Sequence, residues 1–351
     1  MINRKTTSPI KVGSNIVGGY HPILVQSMVN VDSHDTAAVV KQIHQLEEVG
    51  CDIVRVGFLD LASVQNISAI KKRIHIPLVA DIHFNHQFAL EAINQGTDKI
   101  RLNPGNIGGA EPVKKVVAAA AKARIPIRLG VNTGSIQPDI LRRYGHPTAQ
   151  ALVDSALDNV KLLESFDFDQ IIISVKSSSV SMTVEAYQLL SSQVNYPLHL
   201  GVTEAGLKDD STVKSSIGIG SLLLQGIGDT IRVSLTGDPV DEVVIGRNIL
   251  KSLDLQSGPT LIACPTCSRT NFDMLPLAAQ VSTYLDSLPR YKNITVAVMG
   301  CAVNGPGEAR EADVGVAGGK DSGVLFKKGK VVKTVSTEQL YPELIKLLNE
   351  I

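Results

Sequence analysis

Eight short runs rich in β-branched residues recur from residue 24 onward, and each is followed by a segment with helical periodicity. The predicted strands cover residues 24–30, 52–57, 77–84, 99–105, 126–132, 170–178, 197–206 and 230–237. Strands that alternate with helices are typical of a parallel sheet. Eight such units over about 230 residues predict an α/β fold of the (β/α)8 TIM-barrel type. A doubly wound sheet is the alternative, but it more often has fewer units and a dinucleotide-binding glycine fingerprint.

The alternation ends after the segment LKSLDLQSGP, and a second domain is expected beyond it. Its elements are a helix in FDMLPLAAQVSTYLDSL, a strand in ITVAVMG and a hairpin in LFKKGKVVKTV. We therefore predict a barrel domain over residues 1–255 and a smaller α+β domain over residues 256–351.

Composition excludes several classes of function. The 351 residues carry a formal net charge of zero and no Trp, which argues against a nucleic-acid-binding surface. No apolar run reaches the roughly 18 residues that a membrane span requires, and the amino terminus has no apolar segment of the secretory type. Four cysteines in a chain of this length are not a disulfide framework. We expect a cytoplasmic protein whose thiols remain available for chemistry or metal binding.

Cationic residues interrupt five of the predicted strands, and they share one face. In PIRLGVN, for example, Ile127, Leu129 and Val131 alternate with Arg128, Gly130 and Asn132. The apolar face must pack against the helices, so the cations are expected inside the barrel or at its rim. These cations are Arg55, Arg101, Arg128, Lys176 and Arg232.

Unpaired cations inside a barrel would be very unfavourable, so a ligand of opposite charge is expected. Arginine suits bidentate phosphate contacts, which favours a diphosphate at the carboxyl-terminal mouth of the barrel. His83 shares a face with Asp81 and is expected to contact substrate hydroxyls. The alternative is that His83 only forms a hydrogen bond with its neighbour. Glu204 is the best-placed carboxylate for proton transfer. The alternative is that Glu204 and some arginines pair as scaffold.

The cysteines divide into one structural residue and one candidate metal site. Cys51 precedes the second strand and belongs at the amino-terminal face of the barrel. Cys264 and Cys267 form a C-P-T-C pair, and Cys301 is followed after an N-G-P-G turn by Glu308. Three thiolates with one oxygen ligand suit an iron–sulfur cluster. Spacing alone leaves zinc or a redox disulfide open.

These motifs together resemble one known family. The matching segments are VQSM, DIVRVG, ADIHF, KIRLNPGNIG, IRLGVN, SVKSS, HLGVTEAG, IRVSLTGDP, ACPTCSR and GCAVNGPGEAR. They span essentially the whole chain, which resembles the family of 4-hydroxy-3-methylbut-2-enyl diphosphate synthases in its bacterial two-domain form. The resemblance implies a [4Fe–4S] cluster held by Cys264, Cys267, Cys301 and Glu308.

The resemblance also implies an activity and partners. The reaction is reductive ring opening and dehydration of 2-C-methyl-D-erythritol 2,4-cyclodiphosphate, with two electrons delivered one at a time through the cluster. Flavodoxin or ferredoxin would supply the electrons, because no nucleotide-cofactor motif is visible. Members of the family are homodimers in which the cluster domain of one subunit closes over the barrel of the other.

The family's site residues map onto this sequence position by position. The diphosphate-binding residues match Arg55, Arg101, Arg128 and Lys176. The other substrate contacts match His83, Asn132, Thr203 and Asn304, and the proton-handling carboxylate matches Glu204. Strand parity adds Asp81, Asn103, Arg232 and Ser234 to the expected substrate-binding set.

Two competing functions and one partner surface remain to be tested. The chain could be a zinc or metal-independent enzyme on a phosphate-binding barrel, similar to pterin-binding synthases. It could also be an iron–sulfur redox sensor that binds an anionic effector. A carrier could dock on the lysines of the carboxyl-terminal hairpin, which could equally be an ordinary solvated turn. These lysines are Lys320, Lys327, Lys328, Lys330 and Lys333.

Overall fold

The structure is a computed structural model that describes residues 2–103, 107–270, 272–288, 293–301, 307 and 309–351. The chain divides into two compact units, Met1–Leu255 and Gln256–Ile351. Within the described residues, no helix has both the length and the apolar character that crossing a membrane requires.

The first unit begins with a short hairpin and continues as alternating strands and helices. The strands are β1 (Ile10–Val12), β2 (Asn15–Val17), β3 (Leu24–Met28), β4 (Ile53–Gly57), β5 (Leu78–Asp81), β6 (Lys99–Leu102), β7 (Ile127–Asn132), β8 (Ile171–Lys176), β9 (His199–Leu200) and β10 (Thr230–Ile231). The helices are α1 (Thr36–Glu48), α2 (Leu61–Gln65), α3 (Ile67–Lys71), α4 (His86–Asn94), α5 (Ala110–Ala123), α6 (Pro138–Tyr144), α7 (Ala149–Glu164), α8 (Val180–Ser191), α9 (Lys208–Leu224) and α10 (Pro239–Ser252).

Strands β3 to β10 form the predicted barrel. Among the described residues, eight strands pair in the order β8-β7-β6-β5-β4-β3-β10-β9, all parallel. A bridge between Ile173 and Leu198 joins the two ends of this order and closes the barrel. The expectation of a (β/α)8 barrel is therefore confirmed.

The seventh and eighth barrel strands are shorter than predicted. Strand β9 ends at Leu200 and β10 ends at Ile231. Glu204 and Gly206 have φ values of 52° and 102°, which turn the chain away from an extended path. The backbone N–H of Leu235 is bonded to the side chain of Glu242 instead of to a neighbouring strand. The predicted strands 197–206 and 230–237 were therefore too long. The alternation of apolar and polar residues continues into the loops after Leu200 and Ile231, where the chain is no longer a strand.

The two faces of the barrel strands have different surroundings. Ile127, Leu129 and Val131 are fully buried in the core between strands and helices. The other face points inward, and its lower layer includes Ile53 and Ile172. Together with the β1–β2 hairpin, this layer forms a separate apolar cluster that plugs one end of the barrel. The polar side chains inside the barrel line a cavity at the opposite, carboxyl-terminal end of the strands.

Most helices that follow a strand start at a polar cap. The side chains of Asp35, Asp60, Asn85, Ser179 and Asp238 each accept a backbone N–H from the first turn of the helix that follows. Such caps satisfy orphan donors and fix where each loop ends.

The second unit is a mixed sheet covered by helices. It contains β11 (Thr260–Ala263), α11 (Met274–Ser287), β12 (Thr295–Met299), β13 (Val314–Ala317), β14 (Ser322–Lys327), β15 (Lys330–Ser336) and α12 (Leu340–Asn349). Its strands pair in the order β11-β12-β13-β14-β15, in which the first three are parallel and the last two antiparallel. Helices α11 and α12 pack their apolar faces on this sheet.

Candidate functional site

A small cavity of about 170 Å³ opens at the carboxyl-terminal end of the barrel strands. Its lining consists of Arg55, Asp81, His83, Arg101, Arg128, Asn132, Ser174, Lys176, Thr203, Arg232 and Ser234. The described residues of this lining include five cationic side chains and one carboxylate. Drug-sized ligand pockets are larger and mostly apolar. This cavity therefore suits a compact anion.

Asp81 is the carboxylate that two of the cations share. It is the Cα partner of Arg101 on the neighbouring strand, and its Oδ1 lies 3.3 Å from Arg101 Nη1. Its Oδ2 lies 3.7 Å from Arg55 Nε. Burial alone would raise the pKa of Asp81, but the charges of Arg55 and Arg101 hold it well below its usual range. Asp81 is thus a permanent anion that orients two arginines.

His83 is positioned by the same arginine. Its Nε2 lies 2.9 Å from Arg101 Nη1, and a guanidinium only donates hydrogen bonds. In this arrangement Nε2 is the acceptor, so the ring can donate a hydrogen bond only from Nδ1. Since the His83 side chain is 44% exposed, its ring remains accessible from the cavity.

Arg128 and Lys176 are buried cations without an acidic partner among the residues that the structure describes. Within the described part of the chain, Nε and Nη1 of Arg128 have no hydrogen-bond acceptor. Lys176 is 8% exposed and makes no ion pair with any described residue. Burial, and then the neighbouring cations, lower the pKa of both side chains well below their ordinary values. A bound anion would reverse this penalty by restoring the missing opposite charge.

Two glycines make room for these long side chains. A Cβ added at Gly130 would lie 2.7 Å from Arg101 Nε, and one at Gly201 would lie 2.6 Å from Lys176 Nζ. Both distances are shorter than a van der Waals contact. The absence of a side chain at these inward positions is therefore what allows Arg101 and Lys176 to reach across the barrel.

Arg232 differs from the other cations because a helix supplies its partner. Its Nε and Nη2 donate to Oε2 and Oε1 of Glu242 at 3.1 and 2.9 Å. Glu242 lies in the first turn of α10 and is 3% exposed. Its Oε2 also accepts a hydrogen bond from Ser27 Oγ at 2.8 Å. Arg232 lines the cavity but already has one carboxylate.

The remaining predicted residues fall into three groups. Asn132, Thr203 and Ser234 line the cavity beside the cations. Asn103 is buried next to it and donates to the carbonyl oxygen of Ser135. Glu204 is exposed and does not line the cavity. Asn304 and Glu308 lie outside the described residues.

Several residues of this region were not predicted from the sequence. Ser174 precedes Lys176 by two positions, and Lys99 precedes Arg101 by two, so strand parity alone would have found both. Lys99 is fully buried, with Gln26 Oε1 at 3.4 Å. No sequence pattern indicated Glu242, because the position of a carboxylate on a helix does not show which strand the side chain faces.

The candidate metal site lies at the carboxyl ends of β11 and β12. These neighbouring parallel strands align Ala263 with Val298; Cys264 follows β11 directly, and Cys301 follows β12 after Gly300. A Cβ at Gly300 would lie 2.6 Å from Thr270 Oγ1, so the loop that carries Cys267 packs against the residue before Cys301. The fold thus brings two loops, which together carry three thiols, to the carboxyl ends of two neighbouring strands.

The chemistry of the thiols suits a metal or cluster site. All four cysteines, each of them a described residue, are free thiols. Cys267 is exposed, and the backbone N–H and guanidinium of Arg269 lower its pKa, which favours the thiolate that binds metals. Cys51 is buried in the core of the barrel unit, and burial raises its pKa to about 12. Cys51 is therefore not suited to be a ligand.

The lysines of the carboxyl-terminal hairpin have unequal surroundings. Lys327, Lys328 and Lys330 are exposed at the β14–β15 turn. Lys333 is paired with Glu343, whose pKa is lowered to about 2 by this lysine and Lys346. A docking patch would thus consist of the turn lysines and not of Lys333.

Comparisons with known proteins agree over the whole chain. Residues 7–247 match the GcpE TIM-barrel domain, and residues 260–350 match the GcpE protein C-terminal domain. A protein of Caldanaerobacter subterraneus subsp. tengcongensis is 56% identical over 98% of this chain and 96% of its own length. A protein of Clostridium perfringens is 54% identical over 100% of both chains. Both are named 4-hydroxy-3-methylbut-2-en-1-yl diphosphate synthase (flavodoxin).

The solved structures that resemble this chain share its barrel. A dihydropteroate synthase of Yersinia pestis with a sulfonamide drug complex has a TM-score of 0.52 and 11% identity, and the match covers 70% of this chain and 100% of that one. At this identity the likeness concerns the fold alone.

Proposed function

Because the chain belongs to the GcpE family, we propose that it converts 2-C-methyl-D-erythritol 2,4-cyclodiphosphate to 4-hydroxy-3-methylbut-2-enyl diphosphate. The observation that carries the proposal is a pair of buried cations in a cavity at the mouth of the barrel, Arg128 and Lys176, which have no acidic partner in the described part of the chain. A cyclic diphosphate supplies the negative charge that these side chains lack.

The barrel cations bind and orient the substrate. Arg128 and Lys176 contact diphosphate oxygens. Arg55 and Arg101, which Asp81 holds in place, contact the substrate from the Asp81 side of the cavity. Arginine offers two parallel donors to such oxygens, so the ring is held in one orientation. Asn132 and Thr203 are placed to contact the carbon skeleton and its hydroxyls.

The reaction requires reducing equivalents as well as binding. Opening of the ring breaks a carbon–oxygen bond, and two electrons with protons release a carbon-bound oxygen as water. We assign a [4Fe–4S] cluster to Cys264, Cys267, Cys301 and Glu308, and when bound it supplies the electrons one at a time. A flavodoxin is the proposed donor, in agreement with the name of the relatives; ferredoxin is the alternative carrier.

Proton transfer is assigned to the side chains at the mouth. Glu204 is an exposed carboxylate one residue from Thr203, which lines the cavity, and it is the proposed proton donor. His83 holds its Nδ1 proton because Arg101 occupies Nε2. It is therefore placed to donate a hydrogen bond to a substrate oxygen.

The experiment is turnover by anaerobically purified protein. Protein that contains about four irons and four sulfides per chain should consume the cyclic diphosphate when reduced flavodoxin is present, and Arg128→Met should not. Stoichiometric zinc in place of iron, or a full cluster without turnover by any reduced carrier, would contradict the proposal.

We also propose a homodimer in which each active site combines the barrel of one subunit with the cluster domain of the other. Mixing two inactive variants, Arg128→Met and Cys267→Ser, tests this arrangement. After subunit exchange, half of the dimers are mixed and carry one intact site each, so about a quarter of the parental activity should return. No recovery would mean that both parts of the site come from one chain.

A further inference from the structure

Two histidines and a glutamate form a cluster at the amino-terminal face of the barrel, outside the cavity described above. His44 and Glu47 are three residues apart on α1 and share one face of that helix. His75 lies just before β5 and faces them. One possible ligand atom from each of the three lies within 4.8 Å of the other two. We call these residues the His–Glu–His cluster.

Hydrogen bonds already fix the orientation of this cluster. His44 Nε2 donates to the carbonyl oxygen of Arg73 at 2.7 Å, so its Nδ1 is left as a free base. Glu47 Oε1 accepts the backbone N–H groups of His75 and Ile76 at 2.6 and 3.2 Å. A histidine whose second nitrogen is bound to a backbone carbonyl is the usual arrangement of a metal ligand.

The distance between the two rings also suits a shared ion. Their centroids are 5.9 Å apart in a stacked arrangement with an interplanar angle of 29°, so the exposed His75 ring has to rotate for both rings to direct a nitrogen at one ion. Since Zn–N bonds measure about 2.1 Å, two imidazoles on one ion place their centroids roughly 5 to 6 Å apart. His75 Nδ1 and Glu47 Oε2 are 2.9 Å apart, so a proton on Nδ1 is donated to this carboxylate. A metal ion can replace the proton on Nδ1, because Nε2 of the exposed His75 ring can carry that proton instead.

We propose that His44, Glu47 and His75 bind one divalent transition-metal ion of the Zn²⁺ class. Imidazole and carboxylate are ligands that this class accepts in a three-residue site with solvent in the fourth position. The ion ties α1 to the segment that enters β5. The site is independent of the proposed reaction, since it lies at the opposite end of the strands from the cavity.

The test uses the full-length protein purified with its cluster, incubated with Zn²⁺ and passed over a desalting column. We expect one zinc per chain, and X-ray absorption should show nitrogen and oxygen at about 2.0–2.1 Å and no sulfur at about 2.3 Å. The same zinc should raise the unfolding temperature by several degrees, because binding stabilises only the folded state. A sulfur shell alone, or no retained zinc, would overturn the proposal.

Variants identify the ligands even if the thiols also take up zinc. His44→Ala and His75→Ala should each lose this one ion, and Glu47→Gln should bind it at least tenfold more weakly. His146→Ala removes an exposed histidine outside the cluster and should bind as the parent does. Equal zinc content in His44→Ala and the parent would also overturn the proposal. His75 is 81% exposed, so its replacement leaves the fold intact.

Discussion

Both carboxylate oxygens of Glu242 accept hydrogen bonds from the guanidinium of Arg232, at 3.1 and 2.9 Å. The pair joins the start of α10 to the loop after β10, and Ser27 on β3 adds a third connection. Glu242 is therefore one of the few anions near a barrel interior that is otherwise strongly cationic.

Replacing Glu242 should destabilise the ligand-free protein. Glu242→Gln keeps the shape of the side chain but leaves Arg232 without its counter-charge, so the free energy of unfolding should fall by about 2–4 kcal/mol. Urea unfolding measures this change. Inorganic diphosphate should restore part of the loss, because it supplies negative charge to the same cations. An unchanged midpoint would mean that the pair contributes little.

Replacing Arg128 should have the opposite effect on stability. Its buried guanidinium has unsatisfied donors and no acidic partner among the described residues. Arg128→Met should therefore raise the free energy of unfolding of the ligand-free protein by about 1–3 kcal/mol. The same change should lower kcat/KM for the cyclic diphosphate by at least ~100-fold, since a buried charge contact to substrate is lost.

Arg247 provides the matched control for this prediction. It donates to Gly50 O at 2.9 Å and pairs with Asp52 at 2.6 Å, away from the cavity. Arg247→Met should lower stability and leave kcat/KM unchanged. If Arg128→Met destabilised the protein as Arg247→Met does, Arg128 would be a scaffold residue.

Much of the barrel site follows from alternation along the strands. Arg101, Arg128 and Lys176 each lie among apolar neighbours of opposite parity, and the apolar side chains must face the helices. This argument needs no long-range information, because the closed sheet converts local parity into an inward direction. It also explains why Lys99 could have been found by the same reasoning.

The rest of the site depends on contacts that local patterns do not encode. Glu242 reaches Arg232 from a helix, and its direction is set by how α10 packs on β3. Strand β9 ends at Leu200 although the apolar alternation continues, because the left-handed φ of Glu204 redirects the chain. Placement of Glu204 outside the cavity lining follows from that turn, which the sequence pattern did not indicate.

Gly201 should not tolerate a side chain. A Cβ there would lie 2.5 Å from the carbonyl oxygen of Arg232 and 2.6 Å from Lys176 Nζ. Because one of these neighbours is backbone, Gly201→Ala should cost about 1–3 kcal/mol in unfolding free energy. Displacement of Lys176 should also raise KM for the cyclic diphosphate. Urea unfolding and steady-state kinetics measure the two effects.

The control for this glycine lies on a helix. Gly220 is inside α9, and apart from that helix's own backbone no described heavy atom lies within 4 Å of a Cβ built there. Gly220→Ala should raise stability by about 0.5–1 kcal/mol because it restricts the unfolded chain and favours the helix. A loss of stability at Gly220 and none at Gly201 would contradict the steric argument.

His199 should make the ligand-free protein less stable in mild acid. It is fully buried with Nδ1 2.7 Å from Thr230 Oγ1, and burial followed by the charges of Arg128, Lys176 and Lys99 lowers its pKa well below 6.5. The unfolded chain therefore binds a proton first as pH falls. The contribution of the uncharged His199 to the free energy of unfolding is fully present above about pH 6.5. Below that pH it decreases by up to about 1.4 kcal/mol per pH unit.

The measurement is the urea midpoint between pH 5 and 8 in the parent and in His199→Gln. The difference in urea midpoint between the two proteins should become smaller as the pH falls, because only the parent has an imidazole at this position that takes up a proton on unfolding. His146→Gln, at an exposed histidine, should follow the parent throughout. Parallel curves for the parent and His199→Gln would show that His199 does not titrate differently in the two states.

The three clustered thiols should differ from Cys51 in iron binding. Cys264 and Cys301 follow neighbouring parallel strands, and the loop with Cys267 packs against the residue before Cys301. Serine at any of these three positions should lower the iron content of anaerobically reconstituted protein severalfold, because the hydroxyl is a poorer ligand than a thiolate. Cys51→Ala should keep the full iron content, since Cys51 is 3% exposed in the core of the barrel unit. Iron loss in Cys51→Ala, with retention in Cys267→Ser, would contradict the assignment of the site.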